Sequence, residues 1–435
     1  MKLERLALSL SGGGYRAAAF HLGVLTFLHR IDLLRNVRAI STASGGSIAA
    51  AFYAHSLARG QTFEQFSDRF KKFLLDVDVI DEALSRGGKL ITAAADVYAT
   101  AIDTTLGDLQ RSRDHLEELS FNATDFAHGV AFRFVKTQST RVRCGNNYVR
   151  IEPEIAEEIR VADAVAASSC FPGAFEPIVF PDDFQWRIGA SPVPLSSTGT
   201  PLMDGGIYDN SGIESLLLIR ERCDLDAIIV CDADATETPL YREPAIRGGG
   251  VVRVWFVALL LALIDVAAFI ATWQSRHRPL PALFCAFIAI ALTTLFIVAF
   301  RASRRHRPLL WRRAMRLTVR DLVRAIVLRA SSVIALSSRV FMRRMRGLIY
   351  ARAFRTSTDV IDNLIYDLVE ERPTDGIRDL ARRAATMATT LWFDDEKTMN
   401  DLIEVGEMTT CFNLLRVLDD ERCLEAWADF KKRHP

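Results

Sequence analysis

The chain has 435 residues, and half of them are apolar, which is enough for one large or two medium folded domains. Lys and Arg (54) nearly balance Asp and Glu (53), so the composition excludes an overall bias toward nucleic acid, and we expect no such partner. The seven cysteines lack CxxC or CxxH spacing, which argues against a zinc site or a disulfide scaffold and predicts a reducing compartment. The first apolar run is too short for a signal-peptide core, so we expect the N-terminal half to stay in the cytoplasm.

The N-terminus predicts a strand, a glycine loop and a helix. Residues 6–10 have the apolar composition of a short buried strand, which leads into Ser11-Gly12-Gly13-Gly14-Tyr15-Arg16 and then into a helical segment over residues 17–29. Consecutive glycines can turn their N–H groups into one concavity that holds an anion. A nucleotide-phosphate loop, an oxyanion hole and a tight turn alone all remain open. The lack of a P-loop lysine and of G-x-G-x-x-G disfavours the nucleotide.

A second strand, residues 37–40, precedes a serine surrounded by small residues. The run Thr42-Ala43-Ser44-Gly45-Gly46 partly matches the G-x-S-x-G turn that exposes a nucleophilic serine, and a helix over residues 46–58 follows. Ser44 is therefore our candidate nucleophile, although ordinary strand-to-helix loops have similar composition. Alternating strands and helices predict a parallel α/β sheet, with the glycine loop and Ser44 at its carboxyl edge.

Downstream, Asp204 stands in a glycine-rich turn between apolar residues, a pattern that usually marks a hairpin or a loop. Residues 227–232 form the most continuous strand pattern and should be buried on both faces. Other segments with a clear pattern are a helical or lid-like stretch over residues 93–104, strands over residues 121–125 and 129–134, and a helix over residues 159–169.

Two apolar segments, residues 254–273 and 283–300, are each nearly long enough to cross a bilayer core. The short connection between them makes them an antiparallel transmembrane hairpin, and flanking arginines place both outer ends in the cytoplasm. Asp265, near the middle of the first span, should hydrogen-bond across the hairpin to Thr293 or Thr294. The alternative is a helical pair buried in a soluble domain.

Residues 301–355 contain sixteen arginines, no lysine and a single acid, Asp321. Apolar residues at helical spacing among these arginines predict amphipathic helices on anionic headgroups. A solvated charged face is the alternative interpretation.

The tail, from residue 357 onward, has an apolar pattern that predicts a helical face packed back on the sheet, formed by Val360, Ile361, Leu364, Ile365 and Leu368. We therefore divide the chain into a first domain over residues 1–240, the hairpin region over residues 241–310 and a C-terminal region over residues 311–435. The last region holds the Arg-rich segment and the tail helices.

These motifs resemble those of the patatin-like phospholipases, in order and in kind. Gly12 to Gly14 match the family's oxyanion loop, Thr42 to Gly46 match its elbow, and Asp204-Gly205-Gly206 match its D-G-G/A aspartate. The stretch from Ser11 to Ala17 looks most like the cytosolic phospholipase branch. The resemblance covers residues 5–235 and omits the hairpin, and it departs from the family at Thr42. Weaker similarities lie in residues 123–125, 166–172 and 209–212.

The resemblance implies a three-layer α/β sheet with helices on both faces, interrupted here by the hairpin. It implies a serine hydrolase whose Ser44–Asp204 dyad works without histidine, and none of the eight histidines stands in a motif that would supply a base. Gly12, Gly13 and Gly14 would donate N–H groups to the tetrahedral oxyanion. Arg16 would hold a lipid phosphate, or else form a structural ion pair.

The expected function is a membrane-anchored lipid acyl hydrolase that cleaves acyl esters of phospholipids or lysophospholipids without a cofactor or a metal. The expected partners are the bilayer and its phospholipid substrate, and the expected location is integral to the membrane with the catalytic domain facing the cytoplasm. Because Thr42 replaces a glycine of the elbow, a catalytically weak or inactive membrane-bound scaffold is the alternative.

Overall fold

The structure is a computed structural model that describes residues 3–186, 199–234, 318–335, 340–356, 359–371 and 373–435. The chain divides into two compact units, residues 1–238 together with 337–435, and residues 239–336. The predicted spans, residues 254–273 and 283–300, lie outside the described residues. In the described ranges, no helix is both long and apolar enough to cross a membrane.

The strands are β1 (Leu6–Leu10), β2 (Val37–Ala43), β3 (Glu118–Asp125), β4 (Val130–Lys136), β5 (Cys144–Gly145), β6 (Arg150–Ile151), β7 (Ile178–Phe180), β8 (Thr200–Asp204), β9 (Ala227–Asp232) and β10 (Val360–Leu364). The helices of the first half are α1 (Gly14–Arg30), a 3-10 turn (Leu34–Asn36), α2 (Gly45–Ala58), α3 (Phe63–Asp76), α4 (Val79–Arg86), α5 (Leu90–Ala99), α6 (Leu106–Arg111), α7 (Pro153–Glu158), α8 (Val161–Ser168), α9 (Gly206–Asp209) and α10 (Ile213–Arg220). The later helices are α11 (Val319–Ala335), α12 (Met342–Thr356), α13 (Ile365–Glu370), α14 (Asp375–Thr386), α15 (Glu396–Leu415) and α16 (Glu421–Arg433).

These strands form one mixed sheet, which confirms the predicted α/β fold. The order is β10-β9-β1-β2-β3-β4-β5-β6, the first five strands run parallel, and β8 joins β3 to β7. Leu10 aligns with Thr42 of β2 and with Cys231 of β9, so three carboxyl ends finish at one level. The glycine loop and Ser44 therefore share one edge of the sheet.

Strand β8 runs in the opposite direction and ends at the same place. Asp204 aligns with Ala123 of β3, and the preceding residue of β3, Asn122, aligns with Ala43 at the end of β2. Because β8 is antiparallel to β3, its C-terminus points back into the sheet and brings Asp204 level with Ser44.

Alternate side chains of the central strands face two separate hydrophobic clusters. Leu8 and Ile40 belong to a large cluster that includes α1 and α2, whereas Ala7 and Ile228 belong to a smaller one with α10 and α12. Side chains along a strand alternate between its two faces, so helices cover both sides of the sheet.

The C-terminal helices complete the larger cluster. Helix α15 lies against α1 so closely that a Cβ at Gly23 would overlap the Ile403 carbonyl oxygen, and one at Gly406 would overlap that of Phe20. Glycine at both positions allows the two backbones to touch.

The tail differs from its prediction. Residues 360–364 form β10, paired in parallel with β9, and the helix begins only at Ile365. The helical face predicted over residues 360–368 is therefore wrong in its first half, because pairing with an open sheet edge overrides a local apolar spacing that a helix and a strand both allow. The stretch over residues 93–104 is helical only to Ala99, and α5 packs against α4 and α8.

Candidate active site

Ser44 lies in a strained turn at the end of β2. Its backbone has a φ of 48° and a ψ of −117°, a conformation that residues other than glycine rarely adopt, and α2 begins at the next residue. The helix N-terminus supplies N–H groups and a dipole that favour negative charge. This is the elbow geometry that the sequence predicts for a nucleophilic serine.

The small residues after Ser44 are required by close backbone contacts. A Cβ at Gly45 would overlap the Gly14 carbonyl oxygen, and a Cβ at Gly46 would overlap that of Leu10. The Gly46 N–H donates to the Ser11 carbonyl at 3.1 Å. The elbow and the glycine loop therefore pack directly on each other.

Thr42, the departure from the family pattern, is fully buried below the elbow. Its hydroxyl lies 2.7 Å from the Ser47 hydroxyl and donates to the Ser120 carbonyl at 3.1 Å. A hydroxyl with two partners stabilises this position, and Ser44 keeps its strained φ with threonine there.

Asp204 is buried beside Ser44. The Ser44 side chain lies close enough to its carboxyl group to favour the ionised form, and the Gly206 N–H donates to Asp204 Oδ1 at 2.7 Å. Burial raises the pKa of Asp204 to about 6, and the contacts with Gly206 and Ser44 oppose the rise. The carboxylate is therefore an oriented base that is ionised near neutral pH.

Ser168, at the end of α8, joins the two halves of this pair. Its carbonyl oxygen accepts from the N–H of Ser44 at 3.2 Å and from the N–H of Gly205 at 3.1 Å. Its hydroxyl also lies 3.1 Å from the Ser44 nitrogen and donates to the Asn122 carbonyl at 2.6 Å. Its only sequence signal is the weak similarity in residues 166–172, because its contacts come from distant strands.

The glycine loop offers two free donors. Within the described residues, the N–H groups of Gly13 and Gly14 have no acceptor, whereas the Gly12 N–H donates to the Asn210 carbonyl at 2.9 Å. Gly13 and Gly14 have φ values of 141° and 58°, and a Cβ at Gly14 would overlap the Thr390 carbonyl. The expected oxyanion donors are thereby reduced from three glycines to two.

Arg16 lies behind the loop and is 7% exposed. Its Nη1 donates to the Ala385 carbonyl at 2.7 Å, and its Nη2 lies 3.6 Å from Asp234 Oδ1. A Cβ on Gly13 would lie 3.2 Å from Arg16 Nη2, so the guanidinium packs against the loop. Protein groups therefore hold both Nη atoms of the guanidinium on this side of the loop.

No histidine among the described residues hydrogen-bonds to Ser44 or Asp204. His21 is buried and pairs with the Ser11 carbonyl at 2.9 Å, and burial lowers its pKa to about 4. His55 lies near Thr104, and burial lowers its pKa to about 4 as well. In the same ranges, no three His, Cys, Asp or Glu side chains are close enough to hold a metal ion.

The family model of the patatin-like phospholipases matches residues 8–217, which span the glycine loop, the elbow and Asp204. The chain carries a patatin-like phospholipase domain. This patatin-like domain indicates a lipid acyl hydrolase. No curated protein matches the sequence significantly.

Among solved structures, the crystal structure of VipD from Legionella pneumophila is similar to this chain at 15% identity and a TM-score of 0.30. The similarity covers 62% of this chain and 55% of VipD, so the chain matches about half the length of that protein. At that TM-score the likeness adds nothing to the assignment of the patatin-like domain.

Proposed function

We propose that the protein is a serine lipid acyl hydrolase that uses Ser44 as nucleophile and Asp204 as its general base. The observation that carries this proposal is that a serine in a strained elbow lies beside a buried aspartate of raised pKa, with the N–H groups of Ser44 and Gly205 both bound to the Ser168 carbonyl. Strained backbone and a shifted pKa both concentrate at catalytic sites.

In the proposed reaction, Asp204 accepts the hydroxyl proton while Ser44 Oγ bonds to the ester carbonyl carbon. The N–H groups of Gly13 and Gly14 hold the resulting oxyanion, and the loss of one such donor costs about 3 kcal/mol in other hydrolases. The alcohol leaves with the proton from Asp204, which leaves an acyl ester on Ser44. Water, deprotonated by Asp204, then releases the fatty acid and restores Ser44.

The substrate we propose is an acyl ester of a phospholipid or lysophospholipid. Two aromatic side chains at the loops around the site support an apolar substrate: Phe171 is 36% exposed, and Trp392 is 39% exposed. The carbonyl of Cys170, the residue before Phe171, accepts a hydrogen bond from the Asp204 N–H. The carbonyl of Thr390, two residues before Trp392, accepts one from the N–H of Tyr15, which follows the glycine loop. Fatty-acid release from phosphatidylcholine, lysophosphatidylcholine and triacylglycerol would rank the three ester classes.

A phosphate role for Arg16 would require its guanidinium to leave Ala385 and Asp234. The phosphate role and the structural role differ in selectivity. Arg16→Ala should reduce phospholipid hydrolysis far more than hydrolysis of a small neutral ester if Arg16 binds phosphate. Equal losses on both substrates support the ion pair.

The membrane anchor remains a proposal that rests on the sequence. Residues 254–273 and 283–300 would form the hairpin, with the catalytic domain in the cytoplasm and Asp265 bonded to Thr293 or Thr294. New cysteines at Gln274 and Ser303 should react with impermeant reagents from opposite sides of the membrane. Labelling from the same side would exclude a spanning hairpin.

Labelling with a serine-directed fluorophosphonate tests the catalytic proposal. The wild type should label, Ser44→Ala should not, and Asp204→Asn should label much more slowly because its serine has no base. Ser85→Ala, at an exposed position of α4, is the matched serine control and should label like the wild type. Labelling that persists in Ser44→Ala would refute the assigned nucleophile, and no labelling of the wild type would support an inactive scaffold.

A further inference from the structure

Helix α12 is fixed to the central sheet through its buried face. Arg346 lies between Asp232, the last residue of β9, and Asp234, two residues further on. Its Nε is 3.3 Å from Asp232 Oδ2, and its Nη2 donates to Asp234 Oδ2 at 2.6 Å. The Tyr350 hydroxyl also donates to Asp232, at 3.1 Å. Ile349 and Ala353, on the same side of the helix, join the smaller hydrophobic cluster.

The opposite face of α12 combines large apolar side chains with arginines. Arg344, Leu348 and Arg355 are spaced by four and seven residues, which places them on one side of the helix, and Phe341, which directly precedes α12, continues the same spacing. Leu348 is 58% exposed and Phe341 is 49% exposed. We call these four residues the α12 docking face.

The charge of this region is of one sign. Residues 340–356 contain five arginines and no acid. Arg346 and Arg352 have carboxylate partners, whereas Arg344 and Arg355 have none within ion-pair distance among the described residues. An exposed surface that pairs unneutralised arginines with a leucine and a phenylalanine fits phosphate headgroups above acyl chains.

We propose that the α12 docking face binds a bilayer that contains anionic phospholipids. In the chain, this face follows the two predicted membrane spans, so a bilayer is the surface to which it is most readily tethered. The arginines would contact headgroup phosphates while Leu348 and Phe341 enter the interface.

Docking in this way would place the catalytic edge at the membrane. Helix α12 packs against α9, which begins two residues after Asp204, and Arg346 binds the residues at the end of β9 beside the glycine loop. The benefit to catalysis rests on the proposed function, but binding of the α12 docking face does not require turnover.

A fluorescent probe on the docking face tests the binding itself. In the full chain, Leu348→Cys is labelled with an environment-sensitive nitrobenzoxadiazole dye and reconstituted in nanodiscs of phosphatidylcholine with or without phosphatidylglycerol. We expect a blue shift of the emission that depends on phosphatidylglycerol and is reversed by salt. The same dye on Arg382→Cys, in a helix of the opposite sheet face, should not respond.

Charge variants provide the matched comparison. Arg344→Gln with Arg355→Gln should weaken the phosphatidylglycerol-dependent binding about thirtyfold, since each arginine near an anionic surface contributes about 1 kcal/mol. Arg382→Gln with Arg383→Gln removes the same charge from exposed positions of α14 and should leave the response unchanged.

Three outcomes would overturn the docking face: a silent probe, an equal response to both lipid compositions, or a blue shift that follows protein concentration without lipid. The third would identify a second copy of the chain as the occupant. Hydrolysis of a soluble ester by the unlabelled wild type tests the proposed function separately, because the dye reports binding in an inactive enzyme as well.

Discussion

Asp204 has to be ionised to accept a proton from Ser44, and burial opposes that ionisation. Its pKa is raised to about 6, so the fraction of active base should increase with pH through that value. We predict that kcat/KM for a soluble ester rises with a midpoint near pH 6 and is level above pH 7. A pH–rate profile measures this directly.

A carboxyl group can be distinguished from a histidine by temperature, because ionisation of a carboxyl carries little enthalpy and that of an imidazole carries much. The midpoint should therefore hardly move between cold and warm assays. It should also be unchanged in His29→Gln and His128→Gln, two partly exposed histidines outside the site. A midpoint that falls on warming as an imidazole does would contradict Asp204 as the base.

The same raised pKa means that ionised Asp204 destabilises the fold. The folded state holds the proton more tightly than the unfolded chain does, so this contribution to stability is present at low pH and lost as pH rises through about 6. We predict that Asp204→Asn abolishes turnover and raises the free energy of unfolding at pH 7.5 by up to about 3 kcal/mol, the equivalent of two pKa units. The gain should shrink at pH 5.

Asp209 supplies the contrasting control for that experiment. It is also buried, and burial raises its pKa, but its carboxylate accepts from the Ser211 N–H and from the Glu214 N–H through different oxygens. An asparagine would turn an NH2 group toward one of these donors, so Asp209→Asn should destabilise. Thermal unfolding of both variants at two pH values is the measurement, and destabilisation by Asp204→Asn at pH 7.5 would count against the pKa argument.

At the scale of the elements, the elbow tolerates Thr42 because strand β2 places this side chain away from the turn, among hydroxyl groups. We predict that Thr42→Val lowers the free energy of unfolding by about 1–3 kcal/mol, because the buried Ser47 hydroxyl and Ser120 carbonyl each lose a hydrogen-bond partner. Thr42→Gly, which restores the family pattern, should lose stability without any gain in turnover, and Thr42→Ser should resemble the wild type. A large gain in turnover for Thr42→Gly would show that threonine impairs the enzyme.

Helix α12 depends on one buried charge. Arg346→Met leaves Asp232 buried without its cation, so we predict a loss of about 3 kcal/mol in denaturant unfolding. Arg352→Met, whose side chain is 62% exposed, should change stability by less than about 1 kcal/mol. Combining Arg346→Met with Asp232→Asn should recover part of the loss, since the buried carboxylate is then gone while Asp234 keeps Arg16 as its partner.

At the scale of the whole molecule, the fold extends beyond the region that the family model matches. That match ends at residue 217, yet β9 and β10 form one side of the sheet, and α15 covers α1 directly behind the glycine loop. Residues 337–435 therefore belong to the same compact unit as the glycine loop and support it, as the bond from the Tyr15 N–H to the Thr390 carbonyl also shows.

Glycine substitutions test this dependence. A Cβ at Gly406 would overlap the Phe20 carbonyl, so Gly406→Ala should separate α15 from α1 and cost about 2 kcal/mol or more. Gly347, in α12, has open space around it, and Gly347→Ala should stabilise by about 0.5–1 kcal/mol. Unfolding of both variants, followed by circular dichroism, compares them, and a neutral Gly406→Ala would mean that the two helices are not tightly packed.

The parts of this protein that depend on local chemistry could be predicted from the amino-acid sequence. The strand before the glycine loop, the elbow at Ser44 and the continuous strand over residues 227–232 all follow from composition and small-residue spacing, because close backbone approach admits only certain residues. The order of the motifs was sufficient to indicate the patatin-like domain.

Features that depend on partners distant in the chain became visible only in the folded structure. Residues 360–364 are a strand because they pair with β9, and the Gly12 N–H is bound to the Asn210 carbonyl. The Ser168 carbonyl accepts from both Ser44 and Gly205, and Arg16 contacts Ala385 and Asp234. A local pattern contains no information about which strand edge is open or which carbonyl lies opposite an N–H. Those contacts are fixed only when segments hundreds of residues apart pack at one edge of the sheet.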